Sequence, residues 1–204
     1  MSPSTVLVVN LIAIVPIGVL GSLLHFVFEW SGRNRAVAIF ATVNESTWEH
    51  LKIAFWPVFV FFVAQFALGG WALPGFVPAI TVALFSLPVT IVALVLAYTS
   101  VTGRNILWID IAIFFLAIAV SLTIAALLAT ELTASRWTVA LSVPFLLALV
   151  VAFATFTLAP PELDLFVDPR TGEVGIAGHR DLRMVDVGIA AHHKPGVLAG
   201  AGAP

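Results

Sequence analysis

Most of the side chains able to do chemistry in the first 160 residues lie at three places. His25 and Glu29 are four apart. Asn44, Glu45, Ser46, Trp48, Glu49, His50 and Lys52 crowd into one short stretch, and Asp110 stands alone further on. Two imidazoles and three carboxylates, from His25, Glu29, Glu49, His50 and Asp110, are a ligand set suited to a divalent metal such as Zn, Mn or Fe. The chain has no cysteine, which excludes disulfides, thiolate ligands and a cysteine nucleophile. Two histidines with one or two carboxylates and an open position would let a metal activate water. Glu45 or Glu49 would then accept the proton, and Asn44, Ser46, Trp48 and Lys52 would support the site. No pattern for an organic cofactor is present.

These residues must be held by membrane helices. Of the 204 residues, 61% are hydrophobic and only 10% charged, against roughly 25% charged in an ordinary soluble domain. Mean hydropathy is +1.11. A soluble enzyme and a disordered chain are excluded. The net charge of −2 offers no basic field for nucleic acid. A helix needs about 20 mostly apolar residues to cross the hydrocarbon core. Five stretches qualify, at about 5–30, 45–68, 76–98, 106–130 and 137–159. The fold class is therefore all-α, an integral membrane helix bundle with five transmembrane helices. Trp30, Trp48, Trp71, Trp108 and Trp137 lie near span ends, as an aromatic belt requires.

Orientation follows from Lys and Arg. With the N-terminus outside, Arg33, Arg35, Lys52, Arg104, Arg170, Arg180, Arg183 and Lys194 face the cytoplasm, and Arg136 alone faces out. The expected topology is N-out, C-in, in the cytoplasmic membrane of the cell. Residues 1–159 form the membrane domain and 160–204 a cytoplasmic tail. In the tail, 160–178 is expected to be ordered, with 163–176 as a β-hairpin about the Asp168-Pro169-Arg170-Thr171-Gly172 turn. The Gly/Ala-rich 187–204 is expected to be flexible.

This topology gathers His25, Glu29, Asn44, Glu45, Glu49, His50 and Asp110 in one leaflet, from the interface to roughly 10 Å below it. His25 and Glu29 share a helix face with Gly18, Gly21 and Ser22, small residues that admit a close neighbour. A plainer account exists for part of the set. Thr42 with Glu45, and Ser46 with Glu49, fit capping boxes, and first-turn acids favour the helix dipole. Glu45 or Glu49 could also pair with Lys52. The apolar stretch 36–41 is too short to span and would lid the cluster.

The pattern His25-Phe26-x-x-Glu29-x-Ser31-Gly32, followed by Val43-Asn44-Glu45-Ser46-x-Trp48-Glu49-His50-x-Lys52, resembles a family of uncharacterised prokaryotic multi-pass membrane proteins, a domain of unknown function. Phe166-x-Asp168-Pro169-x-Thr171-Gly172-x-x-Gly175-Ile176 is similar to the C-terminal signature of that family. The resemblance reaches to about Ile176. It implies a shared fold and site but no activity.

Three functions fit the residues. The first is an intramembrane metal-binding or hydrolase-like site near lipid headgroups. The second is a proton- or ion-coupled carrier or channel, since buried carboxylates and histidines also serve proton relays. Five spans are few for a carrier unless it forms a homo-oligomer. The third is an assembly subunit in which the cluster latches the helices together and Asp168 and Arg170 dock below it. The expected partners are the lipid bilayer and a second copy of the chain.

Overall fold

The computed structural model describes residues 3–176; the expected flexible segment 187–204 and the last residues of 160–178 lie outside them. Five helices follow in chain order: α1 (Pro3–Trp30), α2 (Thr47–Ala67), α3 (Phe76–Thr102), α4 (Leu107–Glu131) and α5 (Arg136–Thr155). All five are long and apolar enough to cross a membrane. Short 3₁₀ turns occupy Val37–Ile39, Gly70–Ala72 and Asp164–Phe166. Pro16, Pro57, Pro88 and Pro144 lie within helices, where neighbouring helices tolerate them.

The helix ends have local causes. Ser46 caps α2, its hydroxyl accepting the Glu49 N–H at 3.4 Å. Gly103 ends α3 with φ of 67°, and its N–H donates to the Thr99 carbonyl, a left-handed terminus that suits glycine. Ser135 caps α5 through the Thr138 N–H.

Helix α3 packs along α4, and α1 packs on both α4 and α2. Helix α5 lies mainly against α3, with Phe153 its one buried residue among those described. Phe153 stacks on Phe55 and Trp48 of α2, at centroid distances of 4.2 and 4.5 Å. Polar contacts cross-link the half of the bundle that holds the start of α1 and the end of α2. Asn10 Nδ2 donates to the Leu122 carbonyl at 2.7 Å and Gln65 Nε2 to Asn10 Oδ1 at 2.6 Å, all buried.

Close helix approach depends on glycine. A β-carbon on Gly21 would come within 2.6 Å of the Ile53 carbonyl oxygen and 2.7 Å of the Phe114 ring. Backbone cannot swing aside as a side chain can. Gly21→Val is therefore expected to lower stability by about 1–3 kcal/mol, measured by unfolding in detergent micelles; an unchanged transition would show that α1 and α2 do not meet there.

The expected hairpin does not form as a pair of strands. Among the described residues, 163–176 holds a single antiparallel bridge, between Val167 and Val174. The alternating stretch coils into the Asp164–Phe166 turn instead. That turn buries Phe166 against Trp48 and Phe156, and a flat strand would forgo this burial. The turn at Asp168 to Gly172 does close, through Asp168 N–H to the Glu173 carbonyl and Gly172 N–H to the Asp168 carbonyl.

Candidate functional site

One end of the bundle holds the ends of α1, α3 and α5 and the starts of α2 and α4. Its deepest polar layer is a buried ion pair. Lys52 Nζ, one turn into α2, lies 2.5 Å from Glu49 Oε2. The ammonium also donates to the Ala38 carbonyl at 2.7 Å and to Thr157 Oγ1 at 2.8 Å, which uses all three of its hydrogens. Thr157 passes its own hydrogen to Glu49 Oε1 at 3.0 Å, and the Val43 N–H donates to Glu49 Oε2 at 2.9 Å. The network ties the 34–46 linker, α2 and the segment after α5 into one unit. Helix α5 ends at Thr155, earlier than its apolar run, and the chain then turns so that Thr157 reaches the pair.

Segment 34–46 lids this layer, as its apolar stretch suggested. Ala38 and Ala41 are fully buried. The Trp56 indole donates to the Ile39 carbonyl at 2.8 Å. Capping explains less than the spacing implied. Glu49 does not return to the Ser46 N–H, which goes to Asn44 Oδ1 at 2.9 Å. Thr42 caps nothing, and Glu45 precedes the helix.

Segment 160–176 forms a strap across the same end. Asp168 is fully buried. Its Oδ2 accepts the Glu45 N–H at 3.0 Å and its Oδ1 the Arg170 N–H at 2.7 Å. Asn44 Nδ2 donates to the Gly175 carbonyl at 2.9 Å.

Above these layers His25, Glu45 and His50 meet. His25 Nε2 is 3.7 Å from Glu45 Oε1, and His50 Nε2 is 3.7 Å from Glu45 Oε2. The two rings are 5.5 Å apart. All three side chains are partly open, with 30, 35 and 42% exposure for His25, Glu45 and His50. An oxygen stands beside Nδ1 of each ring. His50 Nδ1 lies 2.9 Å from the Ser46 carbonyl, which can only accept, so Nδ1 carries the hydrogen. Thr42 spends its hydroxyl hydrogen on the His25 carbonyl at 3.0 Å. Thr42 Oγ1 also lies 3.2 Å from His25 Nδ1. Nε2 of each ring faces the Glu45 carboxylate.

Other sequence candidates are engaged elsewhere. Glu29 lies in the last turn of α1 with Arg33 Nε at 3.1 Å. Asp110 accepts from the Tyr98 hydroxyl, which itself takes the Ile106 N–H at 3.1 Å, so the pair staples the α3–α4 turn. Trp48 is buried in an aromatic stack rather than set in a belt. Among the described residues, no group of three or more His, Asp and Glu side chains is arranged to hold a metal ion as it stands. Sequence reasoning missed Thr157 and Tyr98 and read Thr42 only as a cap. Single hydroxyls carry no spacing signal, although Tyr98 is the one tyrosine in the chain.

The model of DUF6512, a family of unknown function, matches residues 4–176. The match covers every element described above, and the chain belongs to this family. No curated protein and no solved structure matches it.

Proposed function

We propose that this member of a family of unknown function works through the partly open His25–Glu45–His50 cluster, and that the cluster takes a divalent cation. The carrying observation is the convergence of both Nε2 atoms on Glu45 while each Nδ1 rests on an oxygen. Histidines that ligate metals are held in this way. Around a tetrahedral ion with bonds of about 2.0 Å, ligand atoms stand about 3.3 Å apart. The 3.7 Å separations are a few tenths wider, and the Glu45 carboxylate accepts no hydrogen bond among the described residues. The ligand set is therefore His25, Glu45 and His50, in place of Glu29, Glu49 and Asp110. Glu49 is committed to Lys52, Val43 and Thr157, which leaves Glu45 as the carboxylate open to a cation or proton. When bound, such an ion would supply a Lewis acid with open positions, the requirement for hydrolysis near lipid headgroups.

Arg33, Arg35, Arg104 and Arg170 lie at the site end of the bundle and Arg136 at the other. This asymmetry supports an N-out, C-in orientation with the site facing the cytoplasm. The carrier reading has less behind it, because the deeper polar contacts of Asn10 and Gln65 are amides bonded to one another.

The test is metal retention. Protein purified without a histidine tag, with His192 and His193 replaced by alanine, is stripped with chelator and titrated with Zn²⁺, Mn²⁺ or Fe²⁺. One equivalent is expected to bind, with affinity at least about tenfold weaker in Glu45→Gln or His50→Ala. No retention, or retention indifferent to both substitutions, would remove this reading.

A further inference from the structure

We infer that Arg170 is a tethered counter-cation at Glu45, displaced when a divalent ion enters; the inference rests on the cation reading above. Arg170 Nη1 lies 3.9 Å from Glu45 Oε1, the same oxygen that faces His25. Two long surface side chains seldom hold such a separation by themselves. Here the backbones set it. One buried carboxylate, Asp168, accepts the N–H of Glu45 and the N–H of Arg170. Asn44 on Gly175 and Phe166 on Trp48 fix the strap on either side.

The guanidinium itself is not trapped. The Arg170 side chain is 63% exposed, so it can swing outward without opening the clamp. In the ion-free protein it balances the Glu45 charge. An incoming dication meets that positive charge and competes with it for Oε1. Docking of the strap thereby sets how readily the site fills, and filling the site frees an arginine beside it.

The experiment titrates Mn²⁺ and Zn²⁺ into the full chain in detergent, as wild type, Arg170→Gln, Arg170→Lys, and each of these with Glu45→Gln. Arg170→Gln is expected to bind about two- to fivefold tighter, the range set by an exposed ion pair. The gain should shrink in 1 M salt, where the screening length falls to about 3 Å, and a purely structural role would not produce that dependence. Arg170→Lys should keep the wild-type affinity, and Glu45→Gln should erase the difference. Binding by Arg170→Gln but not by the wild type would also support the exchange. Equal or weaker binding by Arg170→Gln, with the wild type binding, would overturn the inference and leave the site intact. Binding by neither would overturn both.

Discussion

Lys52→Met is expected to destabilise the protein by about 3–5 kcal/mol, the cost of leaving one partner of a buried ion pair uncompensated. Methionine has similar length and supplies the apolar volume, so packing is roughly kept. The loss falls on Glu49, which would keep the Val43 and Thr157 hydrogen bonds but no cation. The Ala38 carbonyl would also lose its donor. Adding Glu49→Gln should recover part of the loss, because a buried amide costs less than a lone buried charge. Unfolding in mixed detergent micelles measures both variants. A single variant within about 0.5 kcal/mol of wild type would show that Glu49 and Lys52 are not desolvated together.

The same pair separates what the sequence could say from what it could not. The i, i+3 spacing of Glu49 and Lys52 made a local ion pair readable. That the pair is the deepest polar layer of the site end was not readable, because burial came from a lid, a strap and a hydroxyl distant in the chain. Thr157 lies 105 positions from Lys52, and a lone threonine past the end of a span gives no periodic signal. Helix positions were legible for the opposite reason. Membrane spans are specified by runs of 20 or more apolar residues, and each of the five expected spans overlaps a helix.

Topology placed the polar candidates at one end of the bundle, but which of them meet was not legible. Topology alone brings the ends of α1, α3 and α5 to the starts of α2 and α4, and so His25 to His50. Choosing among four carboxylates, Glu29, Glu45, Glu49 and Asp110, needed side-chain directions. Glu45 looked like a capping acid of α2. It precedes the helix because Ser46 takes the cap, and this frees its carboxylate to stand between the imidazoles. Glu29 shares a helix face with His25 by spacing, yet its carboxylate runs to Arg33. Asp168 and Arg170 were expected to dock below a cluster that latches α1, α2 and α4; both contact Glu45, but Asp110 of α4 bonds Tyr98 instead of joining the cluster. The strand pairing expected beside them gave way to the burial of Phe166.

Trp48 supports the second large effect, and the contrast between two substitutions carries the argument. Its ring stacks between Phe153 of α5 at 4.5 Å and Phe166 of the strap at 4.8 Å, with Phe156 at 5.5 Å. Trp48→Ala empties that space and is expected to cost about 3–5 kcal/mol. The indole N–H, however, is buried with no hydrogen-bond partner among the described residues. An unpaired donor adds a desolvation cost and no bond. Trp48→Phe keeps the stacking and removes that cost, so it should lose at most about 1.5 kcal/mol. Trypsin cleavage after Arg170 reads the strap directly. It should quicken in Trp48→Ala, where Phe166 loses its seat, and stay near wild type in Trp48→Phe. If both variants were equally destabilised, the N–H would have to hold a partner, and the stack could not by itself be what binds the strap to the bundle.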